Sequence, residues 1–429
     1  FGSSLIRAVP QLASAAVPPS THPMASRWSR WGAAIALTAK AGHAAAAGDG
    51  VCPPCAAEPD PAPLQYAKSL NGVKWPKMCI DNSKGDNNHF FTIGDWGGML
   101  VPGKSPYPPQ TFNHTMGKRP FETEFDQYAQ TNVADVMNRQ AAVSDPSYII
   151  NLGDSFYMAG HLTQCGQGDM CHDGLFTKTG QFEHVFENIY HGPGMDGKPW
   201  MGVLGNHDYG GWQFSSGWDQ IIAYTWHSER WIMPAQYWQR RIQYCDFSAD
   251  YFFYDSNYCD ALDPSVTAHN ICDMRHNEVS CAAAGGPASA QECVSYFDRL
   301  KQEELRWLDK ALAESDADWK IIVTHHNMEY VFHELAPLAK RHGVDLFISA
   351  HRHQQEVHYK DGVLPMGDIP WIISGGGGGI TSERSPVGPM TNQYGFFDLT
   401  LTKQQIKVEL INFHGNVVST DVVLPRGNR

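Results

Sequence analysis

Residues Phe91–Gly98 read FTIGDWGG. An apolar run through Phe90, Phe91 and Ile93 stops at Gly94 and delivers Asp95, which Trp96, Gly97 and Gly98 follow. A carboxylate beside glycine at a strand tip is ordinary turn chemistry when it occurs once. Here the pattern recurs. "INLGDSFY" ends at Gly153-Asp154, with Tyr157 three residues on. "GVLGNHDYGG" ends at Gly205-Asn206-His207-Asp208, "IIVTHHNMEY" at His325-His326, and "LFISAHRHQQE" at His351-Arg352-His353. Each of these is unremarkable alone. Five independent turns would rarely all choose oxygen and imidazole donors.

The stretches leading to these tips are apolar on nearly every residue, as strands buried on both faces are. Between them lie amphipathic patterns that read as helices, notably over 119–142, 179–190, 293–315 and 333–343. Alternating strands and helices predict an α/β layered domain. The last three strands, "PWIISG", "FFDLTLT" and "IKVELIN", lack intervening helices, so a second and more antiparallel sheet completes a sandwich. Residues 1–85 are Ala/Pro-rich without periodicity and read as a targeting segment and poorly ordered linker. The catalytic domain is expected over 86–425, with a Cys-rich insertion at about 245–295.

The chain has 429 residues with 42% hydrophobic and 12% aromatic content, enough for a sizeable core, and a net charge of −13 argues against nucleic acid as a partner. Ten cysteines fit a disulfide framework better than a zinc site, because no second CxxC accompanies Cys52 and Cys55. Cys165 and Cys171 would close a short loop and are the expected pair. Met24, Arg27, Arg30 and the apolar "WGAAIALTA" outline a signal peptide, with an organellar transit peptide as the alternative. Asn113-His114-Thr115 is a glycosylation sequon. These features predict a protein that is secreted or resides in an endomembrane, lysosome-like compartment, outside the membrane in its mature form and monomeric.

In α/β sheets the ligand crevice lies beyond the carboxyl ends of the strands, so all five tips should converge. Carboxylate, phenolate, amide oxygen and imidazole without thiolate suit Fe, Mn or Zn. Two Asp, one Tyr, one Asn and three His exceed what one ion takes. Two ions sharing a carboxylate, held about 3.5–4 Å apart, would use them all and would suit in-line displacement at phosphorus.

In order and spacing these blocks resemble the calcineurin-like metallophosphoesterases. "GDWGG", "GDSFY" and "GNHD" resemble the purple acid phosphatases, most closely the short tartrate-resistant animal type. The resemblance covers roughly 88 to 415 and includes "RWIMPAQYW". It implies a sandwich of two mixed β-sheets flanked by helices. It implies that Asp95, Asp154, Tyr157 and His353 hold Fe(III), and that Asp154, Asn206, His326 and His351 hold a second, divalent ion, Fe, Zn or Mn. His207 would be the acid or substrate contact. His333, two positions out of register, is the nearest candidate for a further phosphate-binding histidine. The implied activity is an acid phosphatase that hydrolyses small phosphate monoesters with hydroxide generated at the binuclear centre. The alternatives are action on phosphodiesters or nucleotide pyrophosphates, and a catalytically inactive binding module.

Two details depart from the family pattern. Ala350 stands where the family has glycine. The adjacent histidines demand a choice, since neighbours on a strand face opposite ways. The V-x-x-H register from Val323 selects His326, with His325 packed behind it.

Overall fold

The computed structural model describes residues 52–426 apart from 53, 57, 64–66, 84–87, 102–107, 114–119, 168–177 and 383–392. The targeting segment, Cys171 and the sequon threonine lie outside the described residues.

Two seven-stranded sheets stack face to face. The first runs β1 (Val73–Cys79), β8 (Trp238–Gln243), β9 (Ser248–Tyr254), β10 (Trp319–Thr324), β11 (Leu346–Ser349), β13 (Trp371–Ser374), β12 (Gln355–His358). The second runs β16 (Val417–Val423), β15 (Ile406–Asn412), β14 (Gly395–Leu401), β2 (His89–Ile93), β5 (Tyr148–Asn151), β6 (Trp200–Gly202), β7 (Trp231–Ile232). A two-stranded ribbon joins β3 (Met99–Leu100) to β4 (Pro109–Gln110). The helices are α1 (Thr123–Asp126), α2 (Ala129–Ser144), α3 (Asn206–Tyr209), α4 (Trp218–Ala223), α5 (Ala290–Glu314) and α6 (Met328–His342).

Strand alternation divides the core into three layers. Phe90, Tyr148, Ile150 and Met201 face Tyr251, Phe253, Ile321, Val323 and Ile348 across the seam between the sheets. Their neighbours Phe91, Ile149 and Trp200 turn outward against α2. Ile322 and Phe347 turn outward against α5 and α6. Every inner strand is therefore apolar on both faces. The fold class read from the sequence is the observed one.

Several boundaries differ from expectation. The fold starts before residue 86: β1 pairs in parallel with β8 and forms one edge of the first sheet. "PWIISG" joins that same sheet as β13, parallel to β11, and only β14, β15 and β16 build the antiparallel flank. The 245–295 stretch is not all insertion, since β9 is a central strand and α5 begins at Ala290; the irregular part is 255–289. The short-loop pairing is also corrected. Cys165 is bonded to Cys281, 116 residues away, which ties the segment after "GDSFY" to the irregular stretch. Among the described residues Cys52–Cys245, Cys55–Cys79 and Cys272–Cys293 are the other bonds, and Cys259 is a free thiol. Among the described residues no helix is long and apolar enough to cross a membrane.

Candidate metal centre

The five tips meet at the seam. Asp95, Asp154 and Asn206 follow β2, β5 and β6 of the second sheet. His325 follows β10, and His351 and His353 follow β11, of the first. Asp95, Asp154 and His351 sit at φ of 55°, 54° and 66°. Non-glycine residues rarely adopt this left-handed region, and where they do the strain marks functional geometry.

Each carboxylate is tied by one oxygen and offers the other. Asp95 Oδ2 accepts the His351 N–H at 2.9 Å, and Asp154 Oδ1 accepts the His207 N–H at 2.8 Å. The Tyr157 hydroxyl lies 2.9 Å from Asp95 Oδ1 and 2.7 Å from Asp154 Oδ2, with one proton for two acceptors. His353 Nε2 stands 3.5 Å from that hydroxyl and 3.7 Å from Asp95 Oδ1. Burial, with the Asp154 charge, holds the Asp95 carboxyl well above the usual range. Burial would raise Asp154 too, but His325 and His207 bring it below the usual value. Burial and the two carboxylates push the Tyr157 phenol far up, so it stays protonated unless a cation stands beside it.

The expected choice between the adjacent histidines is reversed. His325, not His326, turns to Asp154, with Nε2 3.5 Å from Asp154 Oδ2 and 3.0 Å from Asn206 Oδ1. The reason is parity. Ile321 and Val323 face the seam, so the next residue on that face is His325. Asn327 then caps α6 by accepting the Glu329 N–H, and His326 is left on the outer face, 3.3 Å from Asp260 Oδ2.

These residues fit cations. His325 Nδ1–H donates to the Leu152 carbonyl at 2.8 Å, so Nε2 presents a lone pair. His351 Nδ1 lies 3.2 Å from Asn206 Oδ1 and 3.3 Å from His325 Nε2. Burial pushes His325 down to about 4 and His351 well below its usual value, so both rings are neutral donors. A carboxylate, an amide oxygen and two imidazole nitrogens thus converge without a proton for every contact. A cation satisfies such a set.

Close packing fixes the tips. A methyl group on Gly205 would come 2.2 Å from Asp154 Oδ1, so only glycine lets the two loops touch. The methyl of Ala350 fills space that Gly94 leaves open, since a Cβ on Gly94 would lie 2.4 Å from it. That is how the departure at Ala350 is tolerated. Asp208 accepts the N–H groups of Gly205 and Ser155, both at 2.8 Å, and clamps two tips together.

A cavity of about 440 Å³ opens over the centre, lined in part by His207, Asp260, His269, Tyr330 and Arg352. His207 directs Nδ1–H to the Met158 carbonyl at 2.6 Å, leaving Nε2 for other partners. His333 does not reach this cavity and is exposed on α6. Another histidine does. His269 Nε2 stands 3.4 Å from Asn206 Nδ2, and its ring lies 5.9 Å from that of His207. Its φ of 39° is again left-handed. The sequence gives no motif for His269, which lies in the irregular 255–289 stretch. Asn113 is exposed.

A model of the family described as calcineurin-like phosphoesterase matches residues 89–355. Among curated proteins the chain is similar to purple acid phosphatase 17 of Arabidopsis thaliana, 27% identical over 326 residues that span 73% of this chain and 74% of that one. It is also similar to tartrate-resistant acid phosphatase type 5 of Sus scrofa, 22% identical over 348 residues that span 76% and 84%. Among solved structures it resembles GAP50, described as the anchor in the inner membrane complex of Plasmodium, with TM-score 0.51 and 17% identity over 80% of this chain and 90% of that one. That last likeness is one of fold alone.

Proposed function

The chain belongs to the calcineurin-like phosphoesterase family, and we propose that it is a metal-dependent acid phosphatase acting on small phosphate monoesters. Asp95, Asp154, Tyr157 and His353 would hold Fe(III). Asp154, Asn206, His325 and His351 would hold a divalent ion, Fe, Zn or Mn, with Asp154 common to both. Such ions polarise phosphoryl oxygens and lower the pKa of water. The observation that carries this reading is the Tyr157 hydroxyl set between Asp95 and Asp154, a phenol–carboxylate combination suited to a trivalent ion.

The chain's own residues supply the rest. His207 has Nδ1 committed to Met158, so only Nε2 can serve a substrate. Protonated, that nitrogen donates to the ester oxygen as water adds to phosphorus and the ester bond breaks, giving alcohol and phosphate. Burial lowers the His207 pKa, so the donor form is populated in acid. His269, across the cavity, is placed to contact the phosphate or leaving group. Four disulfides among the described residues support residence in an oxidising, secretory-type compartment.

The test is metal analysis combined with turnover of aryl and alkyl phosphates at pH 5. Iron with a second metal and monoester turnover support the reading. Turnover confined to diesters or pyrophosphates, or bound metal without turnover, overturns it.

A further inference from the structure

We infer that Asp260, His326 and His351 form a further cation site beside the binuclear centre, suited to a borderline divalent ion such as zinc. His326 and Asp260 have no part in the proposed catalytic centre. His326 follows the ligand His325 but faces the other way. Asp260 closes a helical turn, Asn257–Asp260, in the irregular stretch.

Three observations carry the inference. Asp260 is 6% exposed and His326 fully buried, and His326 Nε2 has no hydrogen-bond partner of ordinary geometry. The two atoms are 3.3 Å apart, longer than the usual N–H···O bond of about 2.9 Å. In a tetrahedral site with bonds of about 2.0–2.1 Å, ligand atoms stand about 3.3 Å from one another. The third donor is His351, whose ring would serve both sites as a bridging imidazolate, one nitrogen to each, and the ligand atoms of all three residues lie within 4.8 Å of each other.

The surroundings suit the same occupant. His326 Nδ1 lies 3.1 Å from Ser256 Oγ, an outer partner that leaves Nε2 as the ligand. The rings of His326 and His351 pack at 4.2 Å, which fixes both. Asp260 and His351 line the cavity, so a fourth position opens toward it, as in zinc sites with three protein ligands. His269 Nδ1 stands 3.0 Å from the same Asp260 oxygen on that open side.

Metal stoichiometry of the full chain tests this, after equilibration with excess zinc and removal of loosely bound ions. Wild type should hold three ions, and Asp260→Asn and His326→Gln two each. Asp154→Asn should keep one, and zinc should still raise its Tm. Equal stoichiometry in wild type and in whichever of Asp260→Asn and His326→Gln folds overturns the site and leaves the cluster as ion pairs. The outcome also separates this site from the binuclear reading. If only the latter fails, wild type holds one ion, Asp154→Asn retains it, and Asp260→Asn loses it.

Discussion

His325 Nε2 and Asn206 Oδ1 lie 3.0 Å apart across the seam between the two sheets, and the only ring proton of neutral His325 points the other way, to Leu152. Two acceptors so placed need a cation. His325→Ala should therefore lose one tightly bound divalent ion and nearly all turnover, measured by metal analysis and phosphate release. A variant that keeps both ions of the centre would show that His325 is not a ligand.

Tyr157 should report its ligand by colour. A phenolate on Fe(III) absorbs in the visible, so purified protein should be violet or pink and Tyr157→Phe should bleach it. An iron-replete but colourless wild type contradicts the assignment.

His207→Ala should keep metals and colour but lower turnover of alkyl phosphates by roughly 10²–10⁴, the usual range for lost acid catalysis. Aryl phosphates, with better leaving groups, should lose less. The donor form is lost as pH rises through a pKa that burial sets below about 6.5, so the alkaline limb of wild-type activity should begin in acid. Equal losses on both substrate types would make His207 a structural residue.

Gly205→Ala tests the contact between tips. Its methyl would collide with Asp154 Oδ1, so overpacking should cost roughly 1–3 kcal/mol and displace the Asp154 carboxylate. Calorimetry should show a lower Tm and metal analysis a loss at both positions. A variant with wild-type Tm and metal content would mean the loops can part.

His358 provides a pH signature away from the centre. Its ring is stacked on Trp371, with Nε2 2.7 Å from Glu356 and Nδ1 2.5 Å from Asp361. Burial alone would lower its pKa, but the two carboxylates overcome this and raise it. A raised folded pKa contributes stability that is fully present below the unfolded value of about 6.5 and is lost as pH rises through the folded one. The Tm gap between wild type and His358→Gln should be larger at pH 5.5 than at pH 8.5. An equal gap would mean a neutral ring in the fold.

Much of this was legible in the sequence, because the tips are local. A two-face apolar strand followed by Gly-Asp or Asn-His carries its own signature, and Asp95, Asp154, Tyr157, Asn206, His351 and His353 do converge. What was not legible depends on relations between distant segments. The strand before His325 is apolar on both faces, so nothing in "IIVTHH" says which parity meets the other sheet, and the register from Val323 picked the ring that faces Asp260, away from Asp154. Cys165 finds Cys281 only once the chain is folded. β8, in "YWQRRIQ", carries Arg240 and Arg241, which donate to the Pro76 carbonyl and to Asp250 on the neighbouring strands and hide its strand character. His269 reaches the cavity from an irregular stretch with no periodicity to announce it.

The seam has a mechanical consequence. Asp95, Asp154 and Asn206 belong to one sheet and His325, His351 and His353 to the other, so any ion gripping both sets acts as a rivet through the sandwich. Slippage of one sheet over the other would have to break it. An ion held at a thousand times its dissociation constant adds about 4 kcal/mol to the folded state. Chelation should thus loosen the whole two-sheet body, and slow hydrogen exchange along β5 and β10, the strands on either side, should speed up together.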